Sequence, residues 1–133
     1  MTTKHWIMTA SAVSATGVCL GAFGAHILKS KISTDDLEVF QKGIQYLFLH
    51  SIAILISAIL NIQFPNKFFR QSNWFFLAGI ILFSGSLFLI STHSITGLVN
   101  YQWIGPVTPM GGMCFITGWI FFLMGASKIQ SKL

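Results

Sequence analysis

Four stretches of the chain, approximately residues 6–28, 43–62, 74–91 and 109–126, contain no Asp, Glu, Lys or Arg and are apolar along most of their length. Each approaches the roughly 20 residues needed to cross a hydrocarbon core about 30 Å thick, where an α-helix can pair every backbone N–H and C=O within the segment. Only 8% of the residues are charged and 53% are hydrophobic, whereas about a quarter of an average soluble domain is charged. Residues 1–133 are therefore expected to form a single membrane domain, an all-α four-helix bundle embedded in the bilayer.

The charges lie outside the spans. Lys29, Lys31 and Lys42 share one connection with Asp35, Asp36 and Glu38, which are all the acids of the chain. Ser33 ahead of Asp36 resembles a capping box, and Leu37, Phe40 and Ile44 continue at helical spacing, so a short interfacial helix is expected between the first two spans. Phe64 to Gln71 reads as a tight basic turn after the second span. Trp6 is expected at a membrane interface, as is the uncharged stretch from His93 to Thr108 unless it folds back into the protein. Thr108 followed by Pro109 predicts an N-cap and first helical residue for the fourth span.

Four spans place both termini on one side. Five basic residues, Lys4, Lys67, Arg70, Lys128 and Lys132, fall on that side and three opposite, which favours cytoplasmic termini. The net charge of +5 is scattered at helix ends without interleaved aromatics. Membrane lipids with anionic headgroups are the expected partner, and nucleic acid is not. The first apolar run continues too far to be the core of a signal peptide, and Cys19 and Cys114 sit inside spans, where a buried cysteine behaves as a small hydrophobe.

Small residues mark packing surfaces. Ala10, Ser14, Gly17, Gly21 and Ala25 share one face of the first span, and Gly24 adjoins it. Gly85, within Ser84-Gly85-Ser86, and Gly118, within the stripe Gly111, Cys114, Gly118 and Gly125, are expected to let helices approach closely. A homo-oligomer is an expectation on the same ground. Tyr46, His50, Ser57 and Asn61 fall on one face of the second span and are expected to meet the small-residue face of the first.

Together Gly21-Ala22-Phe23-Gly24-Ala25-His26, Tyr46 with His50, Leu82-Phe83-Ser84-Gly85-Ser86-Leu87, and Thr108-Pro109-Met110-Gly111-Gly112 with Gly118-Trp119 resemble the small bacterial membrane proteins of the YgdD and YwdK type. That family is classed as a domain of unknown function and is related to a eukaryotic transmembrane protein. The resemblance covers nearly the whole chain; Ser51-Ile52-Ala53-Ile54 departs from the Ala-Leu-Ala-Leu-like run of the family. It implies a multi-pass protein of the bacterial plasma (inner) membrane and supplies no reaction, cofactor or substrate.

The polar residues of the spans support two readings. His26, Tyr46, His50, Thr108, Gly111 and Gly112 gather toward the outward half and would form a small ligand-binding pocket, with the glycines offering free N–H groups to an anion. Alternatively, His26 and His50 pair with each other or with carbonyls and set helix register. No His-x-x-x-His or Cys-x-x-Cys spacing suggests a metal, and no span contains an acid or a Gly-x-Ser-x-Gly elbow. The chain is thus expected to be no enzyme and to need no cofactor or metal. A structural or interaction role in the membrane is favoured, with a carrier or channel for a small anion, metabolite or proton as the alternative.

Overall fold

A computed structural model describes residues 1–129 and, at position 101, the backbone alone. The fold is all-α: no strand occurs among the described residues, and four helices are long and apolar enough to cross a membrane. These are α1 (Thr3–His26), α2 (Thr34–Gln63), α3 (Lys67–Ser91) and α4 (Val107–Ala126). The second and third pack together, with α1 laid against α2 and α4 against α3. Outward faces carry large aliphatics, among them Leu49, Ile52, Ile56 and Ile59 on α2 and Met113, Ile116, Ile120 and Leu123 on α4.

No separate interfacial helix follows α1. After a single 3-10 turn, Leu28–Ser30, the chain enters α2 at Thr34 and runs unbroken through Gly43 to Gln63. Ser33 caps that start: its Oγ accepts from Asp36 N at 3.1 Å and donates to Asp36 Oδ2 at 2.7 Å. Nothing between Leu37 and Gly43 breaks a helix, so the amphipathic turns expected to stand alone become the first turns of α2. Its 30 residues reach about 45 Å at 1.5 Å per residue, beyond the hydrocarbon thickness, so a charged end extends from the bilayer core.

The boundaries of the later spans also differ from expectation. Asn66 caps α3 through a bond from Phe68 N, so that helix begins before Trp74. The N-cap of α4 is Pro106, not Thr108, and Pro109 falls at its third position. A proline is tolerated there because the first four N–H groups of a helix have no intrahelical partner. The loop before α4 folds back, with a helical turn at His93–Thr96, Gly97 in the left-handed region at φ 70°, and a 3-10 turn that buries Ile104. Trp6 is buried between helices, its ring edge-on to Trp74 at 4.9 Å.

Glycine sockets join the outer helices to the inner pair. On α4, Gly111, Gly118 and Gly125 stand seven residues apart, opposite Phe83, Phe76 and Phe69 of α3, which are also seven apart. A Cβ at Gly118 would lie 2.6 Å from Phe76 Cδ1, and one at Gly125 2.9 Å from Phe69 Cδ1. The same antiparallel pattern sets Gly17 against Leu47 and Gly24 against Phe40. A repeat of seven keeps one seam facing the partner along both helices. Gly43, beneath Phe88, and Gly79, beneath Phe115, add two sockets off these seams. By contrast, Gly21 and Gly85 have nothing within 4 Å of a Cβ position, so neither lies at a close helix approach.

Candidate functional site

The polar face of α2 meets α3 and α4, not α1. Its centre is His50, 2% exposed. His50 Nδ1 lies 2.8 Å from the carbonyl oxygen of Tyr46, one turn earlier. A carbonyl only accepts, so Nδ1 carries the proton and Nε2 is left as an acceptor. Trp119 of α4 supplies the matching donor, its Nε1–H pointing at His50 Nε2 across 3.3 Å. Both ring nitrogens are thereby used, and the imidazole is held as the neutral Nδ1–H tautomer.

Aromatic rings enclose this bond. Phe115 stacks on the imidazole with ring centroids 3.5 Å apart and planes 8° apart, and Phe76 lies 5.5 Å away. Tyr46 packs on Phe83 at 4.5 Å and lies 6.0 Å from Phe115. The backbones of α2 and α4 are thus bridged by rings, and the small volumes of Gly79 and Gly118 give Phe115 and Phe76 room to reach the seam.

Hydroxyl bridges tie the neighbouring helices. Ser14 of α1 lies 2.9 Å from Ser51 of α2. Ser57 of α2 donates to the carbonyl of Phe69 at 2.9 Å and lies 3.0 Å from Ser72 of α3. Ser86 of α3 meets Thr108 of α4 at 2.7 Å. Between spans such contacts contribute roughly 0.6 to 2 kcal/mol each. Two polar atoms of α3 have no hydrogen-bond partner although buried, Asn73 Oδ1 and Ser84 Oγ, and Ser84 ends a π-helical stretch, Ile80–Ser84.

The six residues expected to share an outward pocket are placed as follows. Tyr46 and His50 are adjacent, but His26 is exposed at the end of α1 and makes no bond to His50, whose nitrogens are occupied. Thr108 is engaged with Ser86. Gly111 faces the backbone of Phe83, and a Cβ at Gly112 would have the Phe83 ring at 4.0 Å. The pairing of the two histidines is replaced by His50 with Trp119, because α1 packs on Leu47 and Ser51 of α2, a different face from the one that carries His50. Trp119 as donor and Phe115 as lid were not found from sequence. The available signal was their spacing, since Phe115, Trp119 and Phe122 recur beside the glycine seam of α4. Among the described residues no three or more His, Cys, Asp or Glu side chains converge as a metal set, and Cys19 and Cys114 are free thiols.

Four apolar helices joined by glycine sockets, hydroxyl bridges and one buried His–Trp hydrogen bond define a polytopic α-helical membrane protein. The chain belongs to the family described as Protein of unknown function (DUF423), whose model matches residues 20–112. It is 36% identical over 126 residues to the UPF0382 membrane protein YwdK of Bacillus subtilis (strain 168), covering 94% of this chain and 98% of that protein. It is 33% identical over 132 residues to the UPF0382 inner membrane protein YgdD of Escherichia coli (strain K12), covering 99% and 96%. The UPF0382 membrane protein SAB0533 of Staphylococcus aureus (strain bovine RF122 / ET3-1) is similar at 34% over 125 residues, covering 94% and 97%. No solved structure matches the chain.

Proposed function

We propose that the protein has a structural or interaction role in the bacterial plasma membrane, with no catalytic activity and with both termini in the cytoplasm. The observation that carries this reading is the commitment of His50. It is the ionisable group at the centre of the helices, and both nitrogens are consumed by Tyr46 and Trp119 beneath a stacked phenylalanine. A relay for protons needs a nitrogen free to pass one on, and a ligand site needs unspent donors or acceptors. Thr108 and Gly111 are likewise taken up in packing.

A carrier is the second reading. It draws on the π-helical stretch of α3 and the buried, unpartnered hydroxyl of Ser84, since π turns inside helices occur frequently at functional sites. Reconstitution of the purified protein in liposomes separates the two. Proton and small-anion flux should equal that of protein-free vesicles; flux above that level, lost in His50→Ala or Ser84→Ala, overturns the structural reading.

The plasma membrane assignment draws on the relative named as an inner membrane protein, and the orientation on the five-to-three division of basic residues,. In a variant lacking Cys19 and Cys114, a cysteine at exposed Ser127 should be shielded from an impermeant thiol reagent in intact spheroplasts, while one at exposed Thr34 should react. Labelling in the reverse order rejects the orientation.

A further inference from the structure

The turn between α2 and α3 forms an open pocket of about 270 Å³ lined by Asn61, Pro65, Asn66, Lys67 and Arg70. The bonds already made there determine which atoms remain available. Asn61 Oδ1 accepts from Asn66 N at 2.9 Å, and Asn66 Oδ1 accepts from Phe68 N at 3.1 Å. A backbone N–H can be matched only by the carbonyl end of a carboxamide, so both amides are oriented and both leave an NH2 group without an acceptor among the described residues,. Lys67 and Arg70 are exposed, stand three residues apart on one helix face and add only donors,. Every side-chain polar group lining the pocket therefore has donors to offer and no oxygen left unbonded.

Among the described residues, the charge around the pocket has one sign. Lys128, from the end of α4, brings its Nζ to 4.6 Å from the ring centroid of Phe68, and Lys67 Nζ lies 5.4 Å from the same ring. The acids Asp35, Asp36 and Glu38 stand at the other end of α2, roughly 35 to 40 Å away at 1.5 Å per residue. Two cations from the first turn of α3 and one from just after α4 thus gather at one end of the molecule, where the apolar helices stop.

We propose that this pocket binds a phosphate group, either on the headgroup of an anionic phospholipid or on a soluble phosphate. A phosphate offers several acceptor oxygens to two amides, an ammonium and a planar guanidinium, which matches arginine's preference for bidentate contact with such an anion. The chemistry of the lining is independent of whether the helices also transport anything, so the proposal does not depend on the structural reading above.

Native mass spectrometry of the detergent-solubilised protein, titrated with phosphatidylglycerol against phosphatidylcholine, tests the headgroup source. Inorganic phosphate titrated against protein in phosphatidylcholine nanodiscs, followed by 31P NMR, tests the soluble source. In whichever arm binds, Lys67→Gln/Arg70→Gln is expected to weaken binding about tenfold or more, the loss of two cations at a membrane surface. Asn66→Asp should also weaken it while keeping the cap of α3, because aspartate caps a helix as well as asparagine does but replaces the free NH2 with an acceptor. Both variants should unfold at the wild-type temperature, since the cationic side chains are exposed and the cap is kept. Selective phosphatidylglycerol retention lost in both variants supports the headgroup, and phosphate binding lost in both supports the soluble anion. Absence of binding in both arms, or binding undiminished in the variants, overturns the proposal.

Discussion

Gly111→Ala is expected to destabilise the folded protein by about 1 to 3 kcal/mol or more, the range for forcing an extra carbon into a packed interface. The new Cβ would meet the backbone nitrogen of Phe83 and stand 2.7 Å from its Cβ and 2.8 Å from its Cα. At Gly118 or Gly125 the obstacle is the ring of a buried phenylalanine. At Gly111 it is main chain, and relief requires α3 and α4 to separate along a seam that also holds the Ser86–Thr108 bridge. Gly21→Ala and Gly85→Ala, whose Cβ atoms would meet nothing within 4 Å, should leave the unfolding midpoint near wild type. Thermal unfolding of all three variants in one detergent is the measurement. Equal midpoints for Gly111→Ala and Gly85→Ala would show that the close approach of α4 to Phe83 does not hold the fold.

His50→Ala is expected to cost about 2 to 5 kcal/mol, combining a cavity in a packed core with the loss of a partner for a buried donor. The substitution removes the ring stacked on Phe115 and leaves Trp119 Nε1–H facing a void. His50→Gln, which can offer a carbonyl oxygen, should recover part of the loss. Trp119→Phe removes the other half of the bond and should cost less than His50→Ala, because the ring remains to pack on Phe76 and Phe122. Pairing His50→Phe with Trp119→Phe in a double-mutant cycle isolates the bond, since each substitution removes one of its two partners, and a coupling of roughly 0.6 to 2 kcal/mol is expected. A coupling of zero would mean that the two rings are neighbours without a hydrogen bond.

These expectations depend on features that differ in how far a sequence can reveal them. The spans, their number and the cap at Ser33 were legible because each is local. A run of uncharged apolar residues must satisfy its own backbone in a bilayer, and a serine three residues before an acid reaches the free N–H of that acid whatever the rest of the chain does,. The same local rules placed the start of α4 at Thr108. Tertiary structure overrode that, since the Thr108 hydroxyl finds Ser86.

The site was only half visible. That Tyr46, His50, Ser57 and Asn61 share a face follows from helical spacing, but the helix they face does not. Helical spacing also nominated Gly21 and Gly85 as packing positions alongside Gly17, Gly24 and Gly118, with no means of ranking them. Which glycines become sockets depends on the register of two antiparallel helices, which sets Gly111, Gly118 and Gly125 against Phe83, Phe76 and Phe69. Four membrane-spanning helices can be read from composition along the chain, because the free energy of exposing or burying a backbone is a property of each segment. That His50 belongs to Trp119 and not to His26 follows from how the helices pack. Hydrogen bonds and ring contacts between spans join residues far apart in the chain, and no local periodicity encodes which helix is the neighbour.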